Sequence, residues 1–185
     1  MIGRAASVRV LGALGLLATT FGAAPRVHAQ RAGEVTTTFD PRSGRFGGEI
    51  GGGSREPDTL AASAERVWAV LPEAYAELGV PLTVVDTAAH YLGARSVTTR
   101  RPVGGIRLSR IVECGSGSFG PNAERYTVQL TLLSAVRPID TTHSVLMMGV
   151  GGSAMPNGLS SSVKCQTNGA LEEKLLAVVR ARLAH

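Results

Sequence analysis

The sequence predicts a two-layer α+β domain, an antiparallel sheet of four to six strands with two helices packed on it. Apolar residues recur at three- and four-residue steps in two well-separated segments, near residues 60–79 and 168–183. Between them apolar and polar residues alternate, and no connection is long enough to hold a crossover helix. A helix, then antiparallel strands, then a helix is the order of a sheet covered on one side.

In "LAASAERVWAVLPEAYAELG" the residues Val67, Trp68, Leu71, Tyr75 and Leu78 mark one helical face, and Gly79 and Pro81 stop the helix. Pro72 lies inside this pattern and predicts a kink or a split. Five strands are read after it: "PLTVVD", "HYLGARSVTTRR", "IRLSRIVEC", "ERYTVQLTLLSAV" and "THSVLMMGV". In the fourth, Tyr126, Val128, Leu130 and Leu132 alternate with Thr127, Gln129 and Thr131, which predicts one buried and one wet face. The fifth is apolar without a break from Val145 to Met148, as for a strand covered on both faces. The last helix carries Leu171, Leu175, Val178, Val179 and Leu183 on one side, with Thr167 or Asn168 as cap. Glu172 and Glu173 suit its positive first turn, and Arg180 and Arg182 its negative last turn. Both helices are expected to meet the sheet through Trp68, Leu71, Leu175 and Val179.

The chain opens with Arg4 and Arg9, runs apolar from Val10 to about Ala24, and reaches "RVHAQ". That order predicts a signal peptide over residues 1–29, cut after Ala29, and a periplasmic or secreted protein. The apolar run is shorter than the roughly 18 residues of a spanning helix, so no membrane span is expected. Residues 30–57 hold one strand-like piece, "EVTTTFD", and then "PRSGRFGGEIGGGSREPD" with six glycines. They read as a flexible glycine-rich arm, which leaves 58–185 as a single α+β domain.

Arg4, Arg9 and Arg26 fall within the signal peptide and no acid does, so the mature chain keeps 16 of the 19 basic groups against 14 acids, a net charge of +2. Those basic groups are scattered and aromatic residues make up only 4% of the chain, a composition that argues against a nucleic-acid surface. The sequence sets no oligomeric state.

Cys114 and Cys165 are the chain's two cysteines, 51 residues apart. In an exported protein such a pair predicts a disulfide, which would stabilise the fold by about 4 kcal/mol in the chain-entropy view and pin the last helix to the sheet. A reactive thiol near a helix start is the rival reading. Metal is not expected, because His90, His143 and His185 show no ligand spacing with the cysteines or each other.

Other motifs lack their context. "GSGSFG", Gly115 to Gly120, matches a dinucleotide fingerprint, but a turn and a strand are expected after it where a helix is needed, so it reads as a hairpin and no cofactor is expected. "GGSAM", Gly151 to Met155, lacks the second glycine of a nucleophile elbow, and Ser153 is expected in a loop. Ser153, His143 and Asp140 could form a hydrolase trio only if the fold joined them. Glu172 and Glu173 point to different parts of a helix, and Asp86 stands alone, so no acid pair is expected. Met147, Met148 and Met155 cluster near the fifth strand as core filling or as an adaptable binding surface.

The stretch "SAERVWAVLPEAYAELGVPLTVVDTAAHYLGARSV" combines an acid-containing helix start, a Val-Trp pair, Leu-Gly before an extended segment, and an Asp followed by a glycine-containing strand. It resembles the helix-grip domains of the lipoprotein C component of the bacterial outer-membrane β-barrel assembly machine. The resemblance covers about 35 residues and implies a non-catalytic envelope module, with a C-terminal helix held by a curved antiparallel sheet. The chain departs from that family in lacking the lipidated cysteine and a second tandem domain. With no catalytic motif in context, a non-enzymatic exported module that binds an envelope protein is expected. The alternatives are a helix-grip binder of a small apolar ligand, and a small exported hydrolase.

Overall fold

The computed structural model describes residues 37–40, 45–48, 56–158 and 161–185. Every described residue belongs to one compact unit that lies within Ala32–His185. The expected signal peptide and most of the expected arm lie outside the described residues. Within the arm, β1 (Thr37–Asp40) pairs antiparallel with β2 (Arg45–Gly48), one strand more than the sequence predicts there.

A short strand, β3 (Asp58–Leu60), precedes α1 (Ala64–Glu77). The Ser63 side chain accepts from the Arg66 N–H at 3.4 Å, which satisfies one of the donors a helix start leaves open. Val67, Leu71, Ala74 and Tyr75 are buried along one face. Pro72 neither splits nor ends this helix, which is one continuous element. The buried face on either side of Pro72 compensates for the one backbone hydrogen bond that proline removes.

The strands β4 (Val84–Asp86) and β5 (Tyr91–Thr99) follow, then α2 (Leu108–Ile111) and β6 (Val112–Glu113). The piece "IRLSRIVEC" thus holds a four-residue helical turn and only two strand residues where a full strand is expected. Next come β7 (Ser116–Gly117), β8 (Gly120–Pro121) and α3 (Asn122–Arg125). The long strands β9 (Thr127–Pro138) and β10 (Ser144–Met155) lead to β11 (Val163–Thr167) and α4 (Ala170–Leu183). Gly169, at φ +78°, takes the cap position of α4, so neither Thr167 nor Asn168 is the cap. Thr167 still serves the turn, accepting the Gly169 N–H at 3.0 Å and donating to Glu172 at 2.8 Å. Asn168 instead ties α4 to α2 by donating to the Ser109 carbonyl at 3.1 Å.

The main sheet has seven antiparallel strands rather than four to six, in the order β4-β5-β9-β10-β11-β6. The seventh, β3, pairs with the start of β10, whose far end pairs with β11, so two short strands share one edge of a twelve-residue strand. Even-numbered residues of β9 and β10, such as Val128, Leu130, Leu132, Leu146, Met148 and Val150, join one core cluster with the faces of α1 and α4. Leu71, Leu175 and Val179 are wholly buried there and Trp68 is half-buried against them. Tyr91, Leu133, Ala135 and Met147 form a second buried cluster on the opposite face. The polar side expected to be wet is only partly so, since Thr131 is buried and Thr127 and Gln129 are half-buried.

Arg66 donates to the Leu183 carbonyl at 3.1 Å, joining the start of α1 to the end of α4. The Arg182 guanidinium pairs with Glu73 and Glu77 and binds the two helices on their outer side. Both carboxylates are exposed, so each pair contributes about 1 kcal/mol or less.

Candidate ligand-binding site

A β-bulge in β5 sets up the site. Ala94 stands opposite Leu132 and Val97 opposite Leu130, so Arg95 and Ser96 together face one residue, Thr131. Ala94 and Val97, three apart in sequence, therefore both point to the helix side of the sheet. Thr131 holds the bulge by accepting the Ser96 N–H at 3.1 Å, and the Thr83 hydroxyl accepts the Arg95 N–H at 2.8 Å. Ser96 has φ +55°, a left-handed conformation in which a side chain is strained. Close strand approach before the bulge needs Gly93, where a Cβ would lie 2.3 Å from the Leu132 carbonyl oxygen.

The inward pair opens onto a cavity of about 230 Å³. Its floor is Ala94, Val97, Leu130 and Leu132 of the sheet. One wall is the end of α1 with Leu78, Gly79 and Val80, another is Leu171 in the first turn of α4, and Thr98, Thr99, Pro102 and Val103 form the rim. Gly104 seals the wall behind Leu78, donating its N–H to the Leu78 carbonyl at 3.0 Å. A Cβ on Gly104, which has φ +58°, would come within 2.8 Å of the Leu78 side chain. The lining bears no charged side chain. A wider depression on the far side of Gly79 and Val80, lined by Pro72, Ala76, Pro81 and Leu82, is more open to solvent.

Charged groups flank the cavity in sequence, and most are engaged. Glu77, before Leu78, pairs with Arg182, and Glu172, after Leu171, is buried and accepts from Thr167. Arg95 donates to the Tyr91 hydroxyl at 2.9 Å, and Arg100 donates to Thr127 at 2.8 Å and to Asn157. Arg107 acts on Glu124, whose carboxyl is held below its ordinary range first by hydrogen bonds from Ser109 and also by this charge. Arg101 is exposed, and among the described residues its guanidinium makes no hydrogen bond or ion pair.

The residues singled out by sequence do not converge. Ser153 lies within β10, paired with Lys164 and Gln129 and buried to 7% exposure, rather than in a loop. His143 precedes the opposite end of that strand, about 30 Å away at the rise of an extended chain, so the hydrolase trio is not assembled. Asp140 instead organises the β9–β10 turn, accepting the N–H groups of Thr142 at 2.6 Å and His143 at 2.7 Å. These bonds, the Thr142 ones first, hold its carboxyl down at about 2. Asp86 accepts the Ala89 N–H at 3.0 Å in a turn, and the His90 ring stacks on Trp68 at 5.3 Å between centroids. Met147 and Met148 are buried as core filling, and Met155 alone of the three is exposed. "GSGSFG" forms the β7–β8 hairpin, although α3 follows it before β9.

The sulfurs of Cys114 and Cys165 lie 2.01 Å apart. Glu113 pairs with Gln166, so the two cysteines occupy the next rung of the β6–β11 ladder. The link therefore closes a sheet edge rather than joining α4 to the sheet directly. Among the described residues no group of three or more His, Cys, Asp or Glu side chains could hold a metal ion. No helix among them is long and apolar enough to cross a membrane.

The sequence matches no protein-family profile and no curated protein. A solved structure similar to it is the ZhuI aromatase/cyclase from Streptomyces sp. R1128, at 16% identity over 72% of this chain and 86% of that one, with a TM-score of 0.28. So low a score carries nothing about the chemistry of this chain. The expectation that the protein is not an enzyme is withdrawn, because this neighbour is an aromatase/cyclase, and no activity is assigned in its place. Nothing in these findings links the chain to the β-barrel assembly machine.

Proposed function

We propose that the protein binds a small apolar ligand in the cavity between the bulged floor of β5 and β9, the end of α1 and the start of α4. The observation that carries this reading is the 230 Å³ of space with uncharged, mostly aliphatic walls beside the main core. Drug-sized ligands occupy about 300 to 1,000 Å³, while an apolar cavity of about 150 Å³ holds benzene. By that proportion the space takes about nine carbon atoms, a short chain or one substituted ring. Calorimetry with the straight-chain alcohols from butanol to dodecanol tests it. Affinity rises with each methylene, by up to about 0.8 kcal/mol, and levels off near eight or nine carbons. An affinity that keeps rising to dodecanol, or no binding at all, overturns the reading.

The module works outside the cytoplasm in this reading: residues 1–29 direct export, the arm of 30–57 precedes the folded domain of 58–185, and Cys114 and Cys165 are bonded in the exported protein. A disulfide-bonded pair is consistent with an oxidising compartment. Intact mass of the exported protein should give a chain starting at Gln30 and two hydrogens lighter than the dithiol; a retained Met1 or two free thiols contradicts this. The protein-partner reading is supported by one surface feature, Phe119, 82% exposed at the β7–β8 hairpin with Arg125 over its ring at 4.9 Å.

A further inference from the structure

We infer that the ligand is an amphipathic anion, a monocarboxylate with an apolar body of about nine carbons, and that Arg101 at the cavity rim selects it; this rests on the cavity being the ligand site. The floor and walls offer a carboxylate nothing, so the charge of any ionised ligand must stay at the mouth. The rim segment from Ala94 to Arg107 holds four arginines and no acid. Two of the four donate hydrogen bonds elsewhere, Arg95 to Tyr91 and Arg100 to Thr127 and Asn157, and the charge of Arg107 acts on Glu124. Arg101 directly precedes the rim residues Pro102 and Val103. Pro102 fixes its own backbone angle and restricts that of Arg101, so the backbone that carries the Arg101 side chain is held next to the rim. Of the two acids that neighbour cavity residues in sequence, Glu77 is paired with Arg182, and Glu172 is buried and accepts from Thr167. A planar guanidinium also suits two-point binding of a carboxylate.

The test compares three ligands of one length, octanoate, 1-octanol and octylammonium, titrated by calorimetry into the full folded protein at low salt. Octanoate binds about five-fold more tightly than 1-octanol, and octylammonium more weakly than either. Raising the salt removes the octanoate advantage and leaves 1-octanol unchanged. In Arg101→Gln the advantage is lost while 1-octanol still binds as before, and in Arg107→Gln it is kept. Equal affinity for octanoate and 1-octanol, preference for octylammonium, or a parallel loss of both ligands in Arg101→Gln overturns the role of Arg101. Should none of the three bind, the cavity is not a ligand site and both proposals fall.

Discussion

Tyr75 carries a polar atom into the fully buried face of α1. Its hydroxyl shares a 2.9 Å hydrogen bond with Ser134 and reaches the Leu132 carbonyl at 3.4 Å. Burial pushes the phenol well above its ordinary range, since an anion there would be desolvated. The sign follows: the folded state holds this proton more tightly than the unfolded chain, so the contribution is complete below pH 10 and is lost as pH rises beyond it. Tyr75→Phe removes the bond and strands the Ser134 hydroxyl, and chemical denaturation at pH 7 should show a loss of about 1 to 2 kcal/mol. The variant should also flatten the fall in melting temperature between pH 9 and 11. An unchanged slope would assign that fall to other groups. Asp140 works in the opposite direction, because its carboxyl is held at about 2 against an ordinary 3.8. What it adds to the β9–β10 turn is present above pH 3.8 and is lost as pH falls through about 2. The amide resonances of Thr142 and His143 should shift together with that midpoint; a midpoint near 4 would mean that the turn does not hold the carboxylate.

At the scale of elements, periodicity showed what long apolar faces impose and missed what single residues impose. Both long helices were legible because Val67, Leu71 and Tyr75, and Leu175, Val178 and Val179, recur at helical steps. The turn of α2 was not, because in "RLSRIVEC" the apolar residues Leu108, Ile111 and Val112 satisfy a strand nearly as well as a helix. The cavity floor does leave a sign in the sequence. In "LGARSV" the apolar step lengthens from two residues, Leu92 to Ala94, to three, Ala94 to Val97, which is the signature of an inserted bulge residue. Ser96 tests that element. Ser96→Val puts a β-branched residue at φ +55° and should cost about 1 to 3 kcal/mol, while Ser96→Gly relieves the strain and leaves stability equal or higher. If both substitutions have the same effect, the bulge conformation is not what the position requires. The edge link makes its own prediction: replacing Cys114 and Cys165 by alanine should lower stability by up to about 4 kcal/mol without changing octanol affinity, since neither residue lines the cavity.

Across the whole molecule, two helices lie on one side of a seven-stranded sheet, and the cavity opens where Leu78 caps the end of α1 and Leu171 lies in the first turn of α4. The sequence could not show that opening. It depends on Ala94 being small where its neighbours are large, and on helix ends that meet across 93 residues of chain. No motif records such a coincidence, whereas a catalytic trio leaves recognisable residue types, and the fold keeps Ser153 and His143 at opposite ends of β10. The most direct test is an isotope-filtered nuclear Overhauser spectrum of the protein saturated with 1-octanol. Cross-peaks from the alkyl chain should reach the methyl groups of Val97, Val103, Leu130 and Leu171. Cross-peaks confined to Val84, Val145 or Val163, or none to any methyl group, would contradict a ligand site between the sheet and the ends of α1 and α4.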